Sequence, residues 1–120
     1  MKFPKPKDLR MPSQAFKTMP DGREVILPTA AGRRLKAGRR HTAWLNSAGV
    51  CCLCEYPVNP YDATLEHLTS KGMGGSKHDD RQENLGISHL AGNVAKGSQS
   101  LEQYLKLPIE VRRRNCGQNA

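Results

Sequence analysis

Ala63-Thr64-Leu65-Glu66-His67-Leu68 reads as a strand that ends on a Glu-His pair. After it, Lys71-Gly72-Met73-Gly74-Gly75-Ser76 has too many glycines for a regular element and reads as a loop. Asn84-Leu85-Gly86-Ile87-Ser88 reads as a second short strand. A helix should then begin near Leu90 and pass through Asn93 and Lys96, with Gly97 as its natural break. Strand, loop, strand and helix in this order define an α+β chain.

Upstream, Cys51 and Cys54 bracket a short turn, followed by Pro57 and Pro60. Before that turn, Thr29 is a natural N-cap for a helix running to about Ala48, with Gly49 as its terminator. Leu35, Thr42 and Leu45 fall roughly on one face, and Arg33, Arg34, Lys36, Arg39 and Arg40 charge much of the rest. Gly32 and Gly38 weaken this helix by up to ~1 kcal/mol each relative to alanine. Trp44, the only tryptophan, is expected in the core. Residues 1–28 are punctuated by Pro4, Pro6, Pro12, Pro20 and Pro28, which rules out a long helix. They read as an extended basic arm, with a short strand at Glu24-Val25-Ile26-Leu27 after the Asp21-Gly22 turn. Downstream, Ser98 or Ser100 caps a helix over 101–106, and Pro108 opens a last one over 109–114.

The formal net charge is +8 and the pI about 9.6. Residues 1–45 carry 11 Lys/Arg against 3 Asp/Glu, whereas residues 46–120 carry 8 of each, so the excess lies wholly in the N-terminal part. Such a segment suits a polyanion, because phosphate contacts need charge and little structure. No stretch approaches the ~20 apolar residues of a membrane span, and the N-terminus lacks the apolar core of a signal peptide. A cytoplasmic location is expected, where disulfides are rare. The four cysteines, Cys51, Cys52, Cys54 and Cys116, are then free thiols or metal ligands. With 37% hydrophobic and 5% aromatic residues and a mean hydropathy of -0.66, the core should need a metal or a partner.

Five motifs follow one another: C51-x-x-C54, E66-H67, K71-G-M-G-G75, D80-x-x-x-N84-L85 and N93-x-x-K96-G97. Their order and spacing resemble the HNH endonucleases, the ββα-metal nucleases, over residues 51–97. The resemblance implies a small ββα-metal core with flanking helices. With 1–28 read as the arm, 29–120 becomes the nuclease domain, whose motif core is 50–97. It also implies cleavage or nicking of DNA, double-stranded first of all, with one Mg²⁺ or Mn²⁺. On this reading His67 is the general base and Asn84 orients it. Glu66 and Asn93 hold the metal, and Lys96 contacts phosphate. Hard oxygen donors and an imidazole titrating near ~6.5 fit that chemistry. Lys71, Arg33, Arg34, Arg39 and Arg40 are expected to bind nucleic acid. Strand alternation would put Glu66 and His67 on opposite faces unless the strand end twists. His78, Asp79 and Asp80 read as a solvated loop face, with a metal contact as the alternative.

Two departures stand out. Asn93 occupies the position of the final His, giving an H-N-N arrangement. The second C-x-x-C, which in the family completes a Cys₄ zinc site, is replaced by His89 and Gly92. Cys51, Cys54 and His89 supply three ligands where structural zinc takes four. Cys52 in place of Cys51, a Cys116 returning from the C-terminus, a degenerate site with reduced cysteines, and His89 as a second catalytic residue all stay open. A non-catalytic nucleic-acid-binding module of the same fold is the alternative function, and a zinc protein mediating protein contacts is a third.

Overall fold

A computed structural model of the chain describes residues 14–69 and 79–118. The Gly-rich segment with Lys71, and His78, lie outside the described residues, as do residues 1–13 of the expected arm.

The fold is α+β, with two small antiparallel sheets and four helices among the described residues. β1 (Phe16–Thr18) and β2 (Glu24–Ile26) form a hairpin. α1 spans Ala30–Asn46, β3 Ala63–His67, β4 Leu85–His89 and α2 Leu90–Lys96. A 3₁₀ turn at Gln82–Asn84 leads into β4. α3 (Leu101–Tyr104) and α4 (Ile109–Asn115) close the chain. β3 and β4 pair antiparallel, from Ala63 opposite His89 to His67 opposite Leu85, and α2 follows directly.

Local chemistry explains most boundaries. Thr29 caps α1 by accepting from the Gly32 amide at 2.9 Å. Gly49, in the left-handed region at φ 72°, follows its end. Ser100 caps α3 by accepting from the Gln103 amide at 3.1 Å. Gly32 has a tertiary reason to lack a side chain, since a Cβ there would overlap the Leu27 carbonyl.

Two expectations are corrected here. Residues 16–26 are a hairpin built into the fold, because β2 is clipped to residues 79–80: the Asp80 amide donates to the Glu24 carbonyl at 2.8 Å. The inner face of α1 is also different. Leu45 is 57% exposed, whereas Ala43 is buried and Trp44 packs against the core, its Nε1–H donating to the Val58 carbonyl at 2.8 Å. The helix meets the core through one small residue and one large ring, a pattern that apolar periodicity does not register.

The core gathers Leu53, Val58, Ala63, Leu85, Ile87, Leu101 and Tyr104 around Cys51, Cys54 and Cys116. Three of its buried side chains are therefore thiols. Among the described residues no helix is long and apolar enough to cross a membrane.

Candidate active site and metal centre

A cleft of about 570 Å³ opens between α1 and the β3–α2 unit. Arg33, Lys36 and Arg40 line one wall, and Leu65, His67, Asp80 and Asn93 line the other. Ile26, Leu27 and Pro28 add an apolar edge. The i, i+3, i+7 spacing places the three cations on one stripe of α1. Arg34 is exposed but lies off that stripe, and it does not line the cleft. Arg39 points elsewhere. Its guanidinium donates to Glu24 Oε1 at 2.8 Å and to the Asp80 carbonyl at 2.6 Å, so it braces β2 and the site loop. That engagement sets it apart from Arg33 and Arg40, although all were expected to bind nucleic acid.

His67 sits at the end of β3, half-buried, with Nε2 2.7 Å from Asp80 Oδ1. Asp80 Oδ2 accepts from the Ile26 amide at 2.8 Å. Asp79 is held just as firmly. It accepts from the Glu24 and Arg81 amides and, at 2.6 and 2.8 Å, from the Arg81 guanidinium. The Arg81 side chain holds the Asp79 carboxyl down at about 2, against the opposing effect of burial. Both aspartates are buried, 4% and 7% exposed, which corrects their reading as a solvated face.

Asn84 works through this segment. Its Oδ1 accepts from the Thr69 amide at 2.9 Å, while Nδ2 donates to the Thr69 carbonyl at 3.2 Å and the Asp79 carbonyl at 2.8 Å. It thus ties the end of β3 to Asp79, and Asp80 carries the constraint to His67. Asp80 opens the D-x-x-x-N-L motif, so a signal for it was present, but nothing in the sequence said that it would meet His67.

Asn93 faces the cleft from α2, with Nδ2 near Thr64 Oγ1 (3.4 Å) and the Leu65 carbonyl (3.5 Å). The structure does not bring Glu66 and Lys96 there. Strand alternation turns Glu66 to the opposite face from His67. Its carboxylate meets Lys96 Nζ at 2.9 Å, with both side chains buried. In this arrangement Glu66 does not join Asn93 at a metal, and Lys96 is not presented to a phosphate.

At the other end of the β3–β4 hairpin, the ligand atoms of Cys51, Cys54, His89 and Cys116 all lie within 4.8 Å of one another. This cluster can hold a metal ion. Cys51 and Cys54 come from the turn after α1, His89 ends β4, and Cys116 follows α4. Cys116 is the fourth residue that the spacing of the first three lacked. Gly92 makes room for it, since a Cβ at that position would overlap the Cys116 sulfur. Arg112 and Arg113 secure the returning segment by donating to the Leu53 and Cys54 carbonyls at 2.8 and 3.1 Å.

His89 Nε2 lies 3.1 Å from the Pro57 carbonyl, which can only accept. That fixes the proton on Nε2 and directs the Nδ1 lone pair at Cys54 Sγ, 3.4 Å away. Burial raises the Cys54 and Cys116 thiols above the ordinary range, so an incoming cation must displace their protons. Cys52 is not in the cluster. Its thiol is pushed up to about 12 by burial, with the Glu66 carboxylate adding to the effect. His89 belongs to this cluster and does not line the cleft, which answers the idea that it serves beside His67.

No protein-family model, no curated protein and no solved structure matches this chain.

Proposed function

We propose that the chain is a metal-dependent nuclease of the ββα-metal kind that hydrolyses phosphodiester bonds in DNA. One observation carries this reading: His67, braced by Asp80, shares a cleft with Asn93 and faces the cationic stripe Arg33–Lys36–Arg40. The β3–β4–α2 succession is the scaffold that such a site needs.

The chemistry of the donors fits a hard cation. Asn93 offers a carboxamide to the cleft, an oxygen ligand of the type Mg²⁺ and Mn²⁺ take, and Asp80, not Glu66, is the carboxylate beside it; with its oxygens on His67 and the Ile26 amide, Asp80 would reach an ion only by sharing one of them. Such an ion would supply charge stabilisation at the phosphate. His67 would take the proton from the attacking water, and Asp80, 2.7 Å from its Nε2, would compensate the charge the ring then acquires. Arg33, Lys36 and Arg40 bind phosphates of the strand being cut. Asn84 positions the site by holding Asp79 and, through it, Asp80. Zinc is the second ion, held in a closed structural site by Cys51, Cys54, His89 and Cys116, a Cys₃His set of the required four.

The test is plasmid nicking by purified protein with Mg²⁺ or Mn²⁺. His67→Ala should lower the rate by about 10²–10⁴-fold, the range of general-base catalysis. A His67→Ala variant as active as the parent would end the assignment. A second reading, a nucleic-acid-binding module without catalysis, is favoured by the withdrawal of Glu66 from the cleft. Salt-sensitive DNA binding with no cleavage under any divalent ion would support it.

A further inference from the structure

α2 carries Asn93, yet apolar packing does little to hold it. Leu90 and Val94, its two large apolar side chains, are 61% and 71% exposed. The residues it buries are Gly92 and Lys96. Gly92 packs against the Cys116 sulfur and the Leu53 side chain at the N-terminal end. The two Asn93 contacts in the middle are long, at 3.4 and 3.5 Å. At the C-terminal end Lys96 reaches β3 and meets Glu66 Oε1 at 2.9 Å, the two side chains 8% and 4% exposed. Glu66 Oε2 is buried and has no hydrogen-bond partner among the described residues.

This ion pair therefore has one strong contact in a site sealed from water. An isolated charge there is very costly, so each partner holds the other in place. It also has a specific address. Glu66 precedes His67 on β3, and Lys96 lies one turn beyond Asn93 on α2. The link therefore joins the strand of one site residue to the helix of another, from beneath the cleft and out of reach of substrate.

We propose that Glu66 and Lys96 are positioning residues, and that their buried ion pair fixes Asn93 relative to His67. The catalytic consequence rests on the nuclease reading above, but the structural one does not. Neither residue then touches the metal ion or the phosphate.

The experiment compares the full-length zinc-bound protein with Glu66→Gln, Lys96→Met and the charge swap Glu66→Lys/Lys96→Glu. Amide hydrogen exchange over residues 90–97, zinc content and the kinetics of plasmid nicking are read for each. Either single change should speed exchange in α2 about tenfold or more while zinc stays bound. Both should lower kcat about tenfold with KM within about twofold, as expected when bound substrate meets a displaced group. The swap should recover much of the α2 protection and of kcat, because it restores the pair. A lysine at a metal ligand, or a glutamate at a phosphate contact, could not recover kcat.

Unchanged α2 exchange in both single variants overturns the proposal. So does a swap no better protected than the single variants, or a Glu66→Gln enzyme whose only defect is a higher Mg²⁺ requirement. Should a single variant lose its zinc and unfold, Glu66→Asp and Lys96→Arg take its place, and the same exchange criterion decides. If the parent protein cuts nothing, the nuclease reading fails while the exchange data still decide the ion pair.

Discussion

Two histidines mark the opposite ends of the β3–β4 hairpin, and their surroundings differ in kind. His89 pairs across from Ala63 at one end, and His67 across from Leu85 at the other. His89 donates to a backbone carbonyl and turns its other nitrogen to three buried thiols. His67 meets a carboxylate and opens on a cleft rimmed with cations. A neutral carbonyl keeps an imidazole in the tautomer that ligates a metal. A carboxylate suits a ring that must gain and lose a proton. On the proposed reading, the same residue type on the same hairpin would serve for holding at one end and for turnover at the other. Soft ligands in a closed site keep an ion in place, whereas hard ligands in an open cleft leave room for substrate.

Breaking the closed end should produce the largest effect. Structural zinc contributes on the order of 10 kcal/mol of folding free energy in small domains. Cys116→Ser should therefore abolish stoichiometric zinc and the cooperative thermal transition, read by metal analysis and calorimetry. Gly92→Ala should do nearly the same with every ligand intact, because the added methyl displaces the Cys116 sulfur. A Gly92→Ala protein with full zinc and an unchanged melting temperature would refute the Cys116 geometry. Burial raises the Cys54 and Cys116 thiols, so binding releases protons and apparent affinity grows with pH. EDTA should strip the ion more readily at pH 6 than at pH 8.

The two ends also differ in how far sequence exposes them. Cys51, Cys54 and His89 were legible because ligand spacing is local. Cys116 was only one of several open candidates for the fourth ligand, since its approach depends on the return of α4 and on the vacancy at Gly92, neither of which has a local signature. At the cleft, His67 and Asn93 could be read from their motifs. Asp80 was read first as a solvated loop residue, with a metal contact as the alternative, because a pair of aspartates beside a Gly-rich loop resembles any solvated turn; its burial comes from the β2 edge, far away in sequence. Glu66 is the reverse case, since the structure pairs it with Lys96 away from the cleft. The motif pointed it at the metal, while alternation along the strand already pointed it away. Helix starts at Thr29 and Ser100 were plain because capping is a property of a few adjacent residues.

A smaller effect should separate the ends by acid. Folding lowers the Asp79 carboxyl to about 2, chiefly through Arg81. The stabilisation is complete above the unfolded value near ~3.9 and fades as pH falls from there toward 2. Arg81 is partly exposed, so solvent screening trims the contribution to about 1–2 kcal/mol. Asp79→Asn should be less stable than the parent by that amount at pH 7, and the gap should narrow as pH falls below about 4 and close only below about 2. Comparing the two proteins at each pH removes the shared effect of losing metal in acid. A gap at pH 2 as large as at pH 7 would mean that Asp79 acts through packing or neutral hydrogen bonds.

The smallest effects sharpen the open end. If the α1 stripe binds phosphates, each contact should add about −0.9 to the slope of log affinity against log salt on duplex DNA. Replacing Arg33, Lys36 and Arg40 together by alanine should flatten that slope by about 2–3, with the fold and the zinc content unchanged. Arg34→Ala removes the same charge from a neighbouring position that does not line the cleft. It should leave the slope within about 0.5 of the parent. Equal flattening by Arg34→Ala and Arg33→Ala would show that net charge governs binding, and that His67 does not share its cleft with the bound strand.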